Sequence, residues 1–193
     1  MVKLIGSNKI KTAVFISGTG SNLKNLIKFS LLKKSPIKVC FIVSDNIKAK
    51  GLNFAKKYKI KKKTYNFKNK KLSENLILKD LKKNKINLIC LAGFMKILSP
   101  KFIKRFKGKI LNIHPSLLPK YKGLNTHSRV LKSKEKYSGC TVHFVTAKLD
   151  SGKIILQKKV RIKKCDTKFT LQKRILKEEH LLYPKAISYT FKN

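Results

Sequence analysis

The sequence predicts an α/β fold: a doubly wound, mostly parallel sheet with helices on both faces and antiparallel pairing late in the chain. Three observations carry this. The runs TAVFIS (12–17), IKVCFIV (37–43) and NLICLA (87–92) are nearly continuous apolar segments, as strands covered on both faces require. Amphipathic stretches separate them, and strands alternating with helices build parallel sheets. In the last third, two strand-like runs stand close together across a short turn, which is how antiparallel neighbours are joined.

Each element follows in order. Thr12–Ser17 is the first strand, GTGSN a turn, and a first helix runs to about Leu32. Ile37–Val43 is a buried strand. A helix covers about Ala49–Lys57, and Lys61–Tyr65 is a short strand. Ser73 is positioned to cap a helix to about Lys83, with Leu76 and Leu81 on its apolar face. Asn87–Ala92 is the next buried strand. Pro100 suits the first turn of a short helix to Phe106, and Ile110–Ile113 is a short strand. Cys140–Thr146 and Ile154–Ile162 are the late pair, joined around Asp150-Ser151-Gly152. A terminal helix fills about Thr167–Ile187.

Length and composition set bounds. A chain of 193 residues with 42% apolar content can bury one substantial core, so one domain over 1–193 is expected, its halves at about 12–95 and 96–190. No apolar stretch approaches the length of a membrane span, and MVKLIGSNKIK lacks the apolar segment of a secretory signal. Cys40, Cys90, Cys140 and Cys165 contain no CxxC pair. Cys40 and Cys90 read as small core residues, no metal site is expected, and the usage suits a reducing, cytoplasmic setting.

The net charge is +40, from 48 basic and 8 acidic residues. Only Arg105, Arg129, Arg161 and Arg174 are arginine, so the excess is lysine. Base-edge reading leans on the arginine fork, so the charge is weak support for specific nucleic-acid binding. Exposed positions that have drifted to lysine account for it, although the field still attracts anionic molecules at low salt.

Three segments carry chemistry. Gly18-Thr-Gly20-Ser-Asn22 joins the first strand to the first helix, where glycines permit a tight turn and free N–H groups attract phosphate. Leu23 stands where a dinucleotide fingerprint has its third glycine, and Asp45 lies where a ribose-binding acid would. A phosphate monoester, a dinucleotide and a plain turn all remain open readings. Asn112-Ile-His114-Pro-Ser ends a strand, and residues two apart on a strand face one side. Asp150, one of four aspartates, occupies the late turn, where a turn former is the bland alternative. His143 within its strand reads as structural, His127 as capping or lining a loop, and His180 lies beside Glu179 on the terminal helix.

Together ISGTGSNLKNLI, LAGFMKILSP, LNIHPSLLPKYKG, GCTVHFV and LDSGKIILQ, in that order, closely resemble the phosphoribosylglycinamide formyltransferases over about residues 12–190. The resemblance implies the formyltransferase fold. It also implies formyl transfer from 10-formyltetrahydrofolate to the amine of glycinamide ribonucleotide in purine biosynthesis, with no metal. Gly20, Ser21 and Asn22 match positions that cradle the substrate phosphate, and Glu179 matches a carboxylate contacting the same substrate. Met95, Lys96, Ile97 and Leu98 match the folate-lining segment. Asn112, His114 and Asp150 match the catalytic group, Asn112 also facing folate. A carboxylate beside His114 would favour imidazolium, the acid that a departing folate nitrogen needs. A basic residue that contacts folate in some relatives falls near Lys70. The expected partners are these two small molecules, with no specific nucleic acid and no membrane, in a monomer or weak homodimer.

The sequence departs from its relatives in places. Lys96 stands where they often carry Arg, Asn125 where many bacterial ones have His, and the stretch before Ser73 is shortened. The rival families, methionyl-tRNA formyltransferase and formyltetrahydrofolate hydrolase, normally carry a further domain. The GxGSN loop also argues against the first. A nucleic-acid-binding module on a decayed scaffold is opposed by the intact Asn112–His114–Asp150 set.

Overall fold

A computed structural model describes residues 9–191; the first eight and last two residues of the expected 1–193 domain, including most of the stretch read for a signal segment, lie outside the described residues. The order is β1 (Ile10–Ile16), α1 (Ser21–Leu31), β2 (Ile37–Ser44), a 3-10 turn (Lys50–Leu52) leading into α2 (Asn53–Lys57), β3 (Lys61–Thr64), α3 (Lys70–Lys83), β4 (Leu88–Leu91), α4 (Pro100–Arg105), β5 (Lys109–His114), α5 (Thr126–Lys132), β6 (Tyr137–Phe144), β7 (Ile154–Arg161) and α6 (Lys168–Thr190).

The strands form one seven-stranded sheet in the order β3-β2-β1-β4-β5-β6-β7. The first five strands pair in parallel; β6 and β7 pair antiparallel, as the late change of rhythm predicts. Apolar runs become central strands because both faces are covered. Val14 and Ile16 of β1 pack into a core with α1 and α6, while Ala13 and Phe15 pack into another with α3 and α4. The lysine-rich β3 and β7 occupy the two edges, where charge discourages pairing with another chain.

Four local expectations need correction. Asn69, not Ser73, caps α3: its side chain accepts from the Leu72 N–H, and Ser73 lies inside the helix with its hydroxyl donating to the Asn66 carbonyl. The buried face of α3 carries Ile77 and Leu81, whereas Leu76 is exposed. Cys40 is only partly buried, because the register between β1 and β2 slips at that point and leaves it without a cross-strand partner. The helix α5 adds an element that the sequence does not display, since seven residues show too little periodicity.

Pro184 sits inside α6 without ending it. Proline cannot donate to the carbonyl four residues back, which is that of His180. The Asn25 side chain of α1 donates to that freed carbonyl at 2.5 Å. The helix therefore passes through its proline with the lost bond replaced from a neighbouring helix. This pins α6 to α1 close to Glu179.

Candidate active site

Ligands of open α/β sheets bind beyond the carboxyl ends of the strands, where the strand order reverses. Here that reversal lies between β1 and β4. The loop after β1 turns through Gly20, whose φ of 73° lies in the left-handed region, and delivers the start of α1. Gly51 lies against it. A Cβ on Gly20 would stand 2.7 Å from the Gly51 Cα, and the Gly51 N–H donates to the Gly18 carbonyl at 3.0 Å. No side chain caps α1 and no acid occupies its first turn, so the first N–H groups of the helix are left without a side-chain partner. Sequence reasoning missed Gly51, which belongs to no motif and shows its role only through this close approach.

Asn22 is buried, and its Nδ2 donates to Glu179 Oε2 at 2.7 Å across 157 residues of sequence. Its Oδ1 is buried with no protein partner. Burial pushes the Glu179 carboxyl up to about 7, against the pull of the Asn22 bond. Asn22 and Glu179, which the family resemblance implies for one substrate, therefore meet directly.

The second cluster forms where β5 and β6 end. Asn112 and His114 share one face of β5, and His143 lies opposite Asn112 on β6. Asp150 reaches them from the β6–β7 loop, with its own φ at 44°. Gly152 allows that loop its path, since a Cβ there would fall 1.8 Å from the Phe144 carbonyl oxygen. Asp150 Oδ2 lies 3.4 Å from His114 Nδ1 and accepts from the Gly123 N–H at 2.9 Å. Its Oδ1 lies 3.4 Å from Asn112 Nδ2 and 3.6 Å from His143 Nε2. His143, read from sequence as structural, is thus a member of the cluster, with its Nδ1 on the Phe144 carbonyl at 2.8 Å.

The charges follow from these contacts. His114 Nε2 is 2.9 Å from the Tyr121 carbonyl, an acceptor only, so the neutral ring carries its proton on Nε2 and turns a lone pair at Nδ1 toward Asp150. Burial holds the His114 pKa below its ordinary value, outweighing the Tyr121 carbonyl and Asp150, which favour the charged ring. The expectation of imidazolium, which weighs the carboxylate alone, leaves out this burial. For Asp150, burial acts upward, but His143, the Gly123 N–H and the His114 imidazole together hold its carboxyl below the usual range.

Both residues border a cavity of about 600 Å³. Met95, Lys96, Ile97 and Leu98 form one wall, and Val145 to Asp150 the other. Asn125 and His127 also line it; His127 is held in α5 and buried, and burial lowers its pKa. Lys96 lies 3.9 Å from Asp45 at the rim. Lys70 opens α3 on the surface and does not line the cavity.

Comparison with known proteins places the chain in a family. Residues 10–187 match the family model described as formyl transferase. The trifunctional purine biosynthetic protein adenosine-3 of Gallus gallus is 42% identical over 186 residues, but the chain spans only 18% of that relative's length. The phosphoribosylglycinamide formyltransferase of Haemophilus influenzae is 43% identical over 184 residues, which is 93% of this chain and 86% of the relative. The crystal structure of phosphoribosylglycinamide formyltransferase from Brucella melitensis superposes with a TM-score of 0.89 at 42% identity, covering 95% of this chain and 96% of that one. With near-complete coverage of a single-function relative on both sides, the chain belongs to the phosphoribosylglycinamide formyltransferase family.

Proposed function

We propose that the chain transfers a formyl group from 10-formyltetrahydrofolate to the amine of N1-(5-phospho-D-ribosyl)glycinamide in purine biosynthesis. The observation that carries this is the meeting of Asn112, His114 and Asp150 at the border of a largely apolar cavity, close to a phosphate-type loop. The phosphate would sit at the start of α1 on Gly20, Ser21 and Asn22, with Glu179 beneath. The flat folate ring would enter between Met95–Leu98 and Val145–Asp150. A cavity of about 600 Å³ is within the size range that encloses such ligands. Lys70, outside the cavity, would meet only an anionic part of the folate that extends into solvent.

The chemistry follows from atoms in place. The amine bonds to the formyl carbon, and electrons move onto the formyl oxygen. Asn112 Nδ2 donates to that oxygen; one such donor is worth on the order of 2.7–4 kcal/mol of transition-state stabilisation. The neutral His114 ring has a free Nδ1 lone pair, which takes the proton that the attacking nitrogen sheds. Asp150, 3.4 Å away, stabilises the resulting imidazolium. The C–N10 bond then breaks as that proton passes to N10, directly or through a water ordered by Asp150. His114 is thus the acid for the leaving group and recovers its neutral state each cycle.

The test is formyl transfer by the purified protein, followed by folate absorbance, with His114→Ala in parallel. Turnover that requires the ribonucleotide and falls about 10²-fold or more in the variant is expected. Loss of formate from the folate without the ribonucleotide would reassign the chain as a hydrolase. Folded protein with no reaction would end the enzyme reading.

A further inference from the structure

Asp45 takes no part in the chemistry above, yet its side chain is only 8% exposed and it touches both Ser17, which precedes the glycine loop, and Lys96 of the cavity wall. It stands just past the end of β2, and its Oδ1 accepts the Ser17 hydroxyl at 2.5 Å. Ser17 is the residue between β1 and the glycine loop. Its Oγ also accepts the Met95 N–H at 2.8 Å, its N–H donates to the Gly93 carbonyl at 3.1 Å, and its carbonyl accepts from Asn46 Nδ2 at 3.2 Å. Every polar atom of Ser17 is therefore committed. Two of its bonds cross the reversal point of the sheet, from the loop after β1 to the loop after β4. The Ser17 hydroxyl has one proton, and Asp45 takes it. That fixes the rotor and leaves an oxygen lone pair aimed at Met95.

We propose that Asp45 is a positioning residue which, by orienting the Ser17 hydroxyl, locks the phosphate-type loop (Gly18–Asn22) to the cavity wall (Met95–Leu98), so that binding at either one favours binding at the other. This rests on the functional reading above, since it assigns the two segments to two substrates. Coupling of this kind is a free energy shared by both sites and must be reciprocal. The carboxylate is needed as an acceptor and not as a charge: its ion pair with Lys96 is long at 3.9 Å, and Lys96 is half exposed. The substitution Asp45→Asn keeps the acceptor and loses the charge, whereas Asp45→Ala loses both.

Calorimetry would give the affinity for the ribonucleotide with and without a non-reactive 5,8-dideaza folate analogue, and the converse. Wild-type protein should bind each ligand about 5-fold or more tightly in the presence of the other, within the usual span of allosteric coupling. Asp45→Asn should keep that factor. Asp45→Ala and Ser17→Ala should each bring it close to one, and the double variant should lose no more than either. Far-UV circular dichroism and single-ligand affinities separate this from misfolding, and Ser17→Ala tests the same link should Asp45→Ala fail to fold. Absence of coupling in wild type, or coupling that survives in Ser17→Ala, overturns the proposal. Failure of wild type to bind either ligand would instead overturn the functional reading.

Discussion

At the scale of single residues, the fold shifts Asp150 and Glu179 in opposite directions. Asp150 accepts from the Gly123 N–H and lies beside two imidazoles, and its carboxyl is held below the usual range. Glu179 has one donor, Asn22, and is pushed up to about 7 by burial. The consequence for stability has a definite sign. A carboxyl whose folded pKa is raised binds more protons folded than unfolded, so its contribution is complete below the unfolded value near 4.5 and is lost as pH rises through about 7. Glu179→Gln keeps an acceptor for Asn22 Nδ2 and has no charge to desolvate. In the unliganded protein the variant should match wild type at pH 5 and exceed it at pH 8, by about 1–3 kcal/mol on the scale of 1.36 kcal/mol per unit. Urea unfolding at the two pH values measures this. An equal loss in both proteins would show that Glu179 is not the group responsible. If Glu179 also binds the ribonucleotide, as proposed, the stabilised variant should lose affinity, the usual trade at a functional site.

At the scale of elements, α6 is the clearest case of one helix depending on another. The His180 carbonyl loses its helical donor at Pro184 and is satisfied by Asn25 of α1. Removing that donor leaves a partly buried carbonyl unpaired, so Asn25→Ala should cost about 1–2 kcal/mol. In a Pro184→Ala background the helical N–H returns and the same change should cost clearly less. A double-mutant cycle by denaturant unfolding reads the difference, and strict additivity would break the argument. This also marks the limit of what the sequence displays. β1, β2 and β4 were legible because their apolar runs have no other stable home, and His114 and Asn112 because two-residue spacing on a strand fixes their common face. Gly51, His143 and Ser17 were not, since each acts across a gap of many residues that no local pattern spans. Asn69 displaced Ser73 as a cap because the helix begins a turn earlier, a boundary that local propensity rarely resolves.

At the scale of the whole molecule, the lysine excess sharpens the meaning of the acids. Of the eight acidic residues, Asp45, Asp150 and Glu179 stand in or beside the sites, and Glu74 is buried, accepting the N–H and hydroxyl of Ser99, which caps α4. Asp80, Glu135 and Asp166 hold Lys63, Lys120 and Arg174. Three of the four arginines are similarly committed: Arg105 donates to Asn75, Arg129 to the Lys122 carbonyl and Arg174 to the Arg161 carbonyl. What remains is a surface of lysines with few partners, and a net charge of +40 repels itself in the compact state. Screening should relieve that repulsion. The Debye length falls from about 30 Å at 10 mM salt to about 10 Å at 100 mM. The first reaches across the molecule and the second only between neighbours. Thermal unfolding should therefore rise by about 3 °C or more between 10 and 100 mM NaCl, roughly 1 kcal/mol for a chain of this size. Equal ionic strengths of NaCl and KCl should act alike, because screening does not depend on which cation supplies it. The same screening should abolish any RNA association, with no dependence on RNA sequence, since lysines supply phosphate contact and little else when most arginine forks are engaged within the protein. A melting temperature flat in salt would mean that the lysines are neutralised by something bound. RNA affinity persisting at 200 mM would identify that partner, and the lysine surface would then need a function of its own.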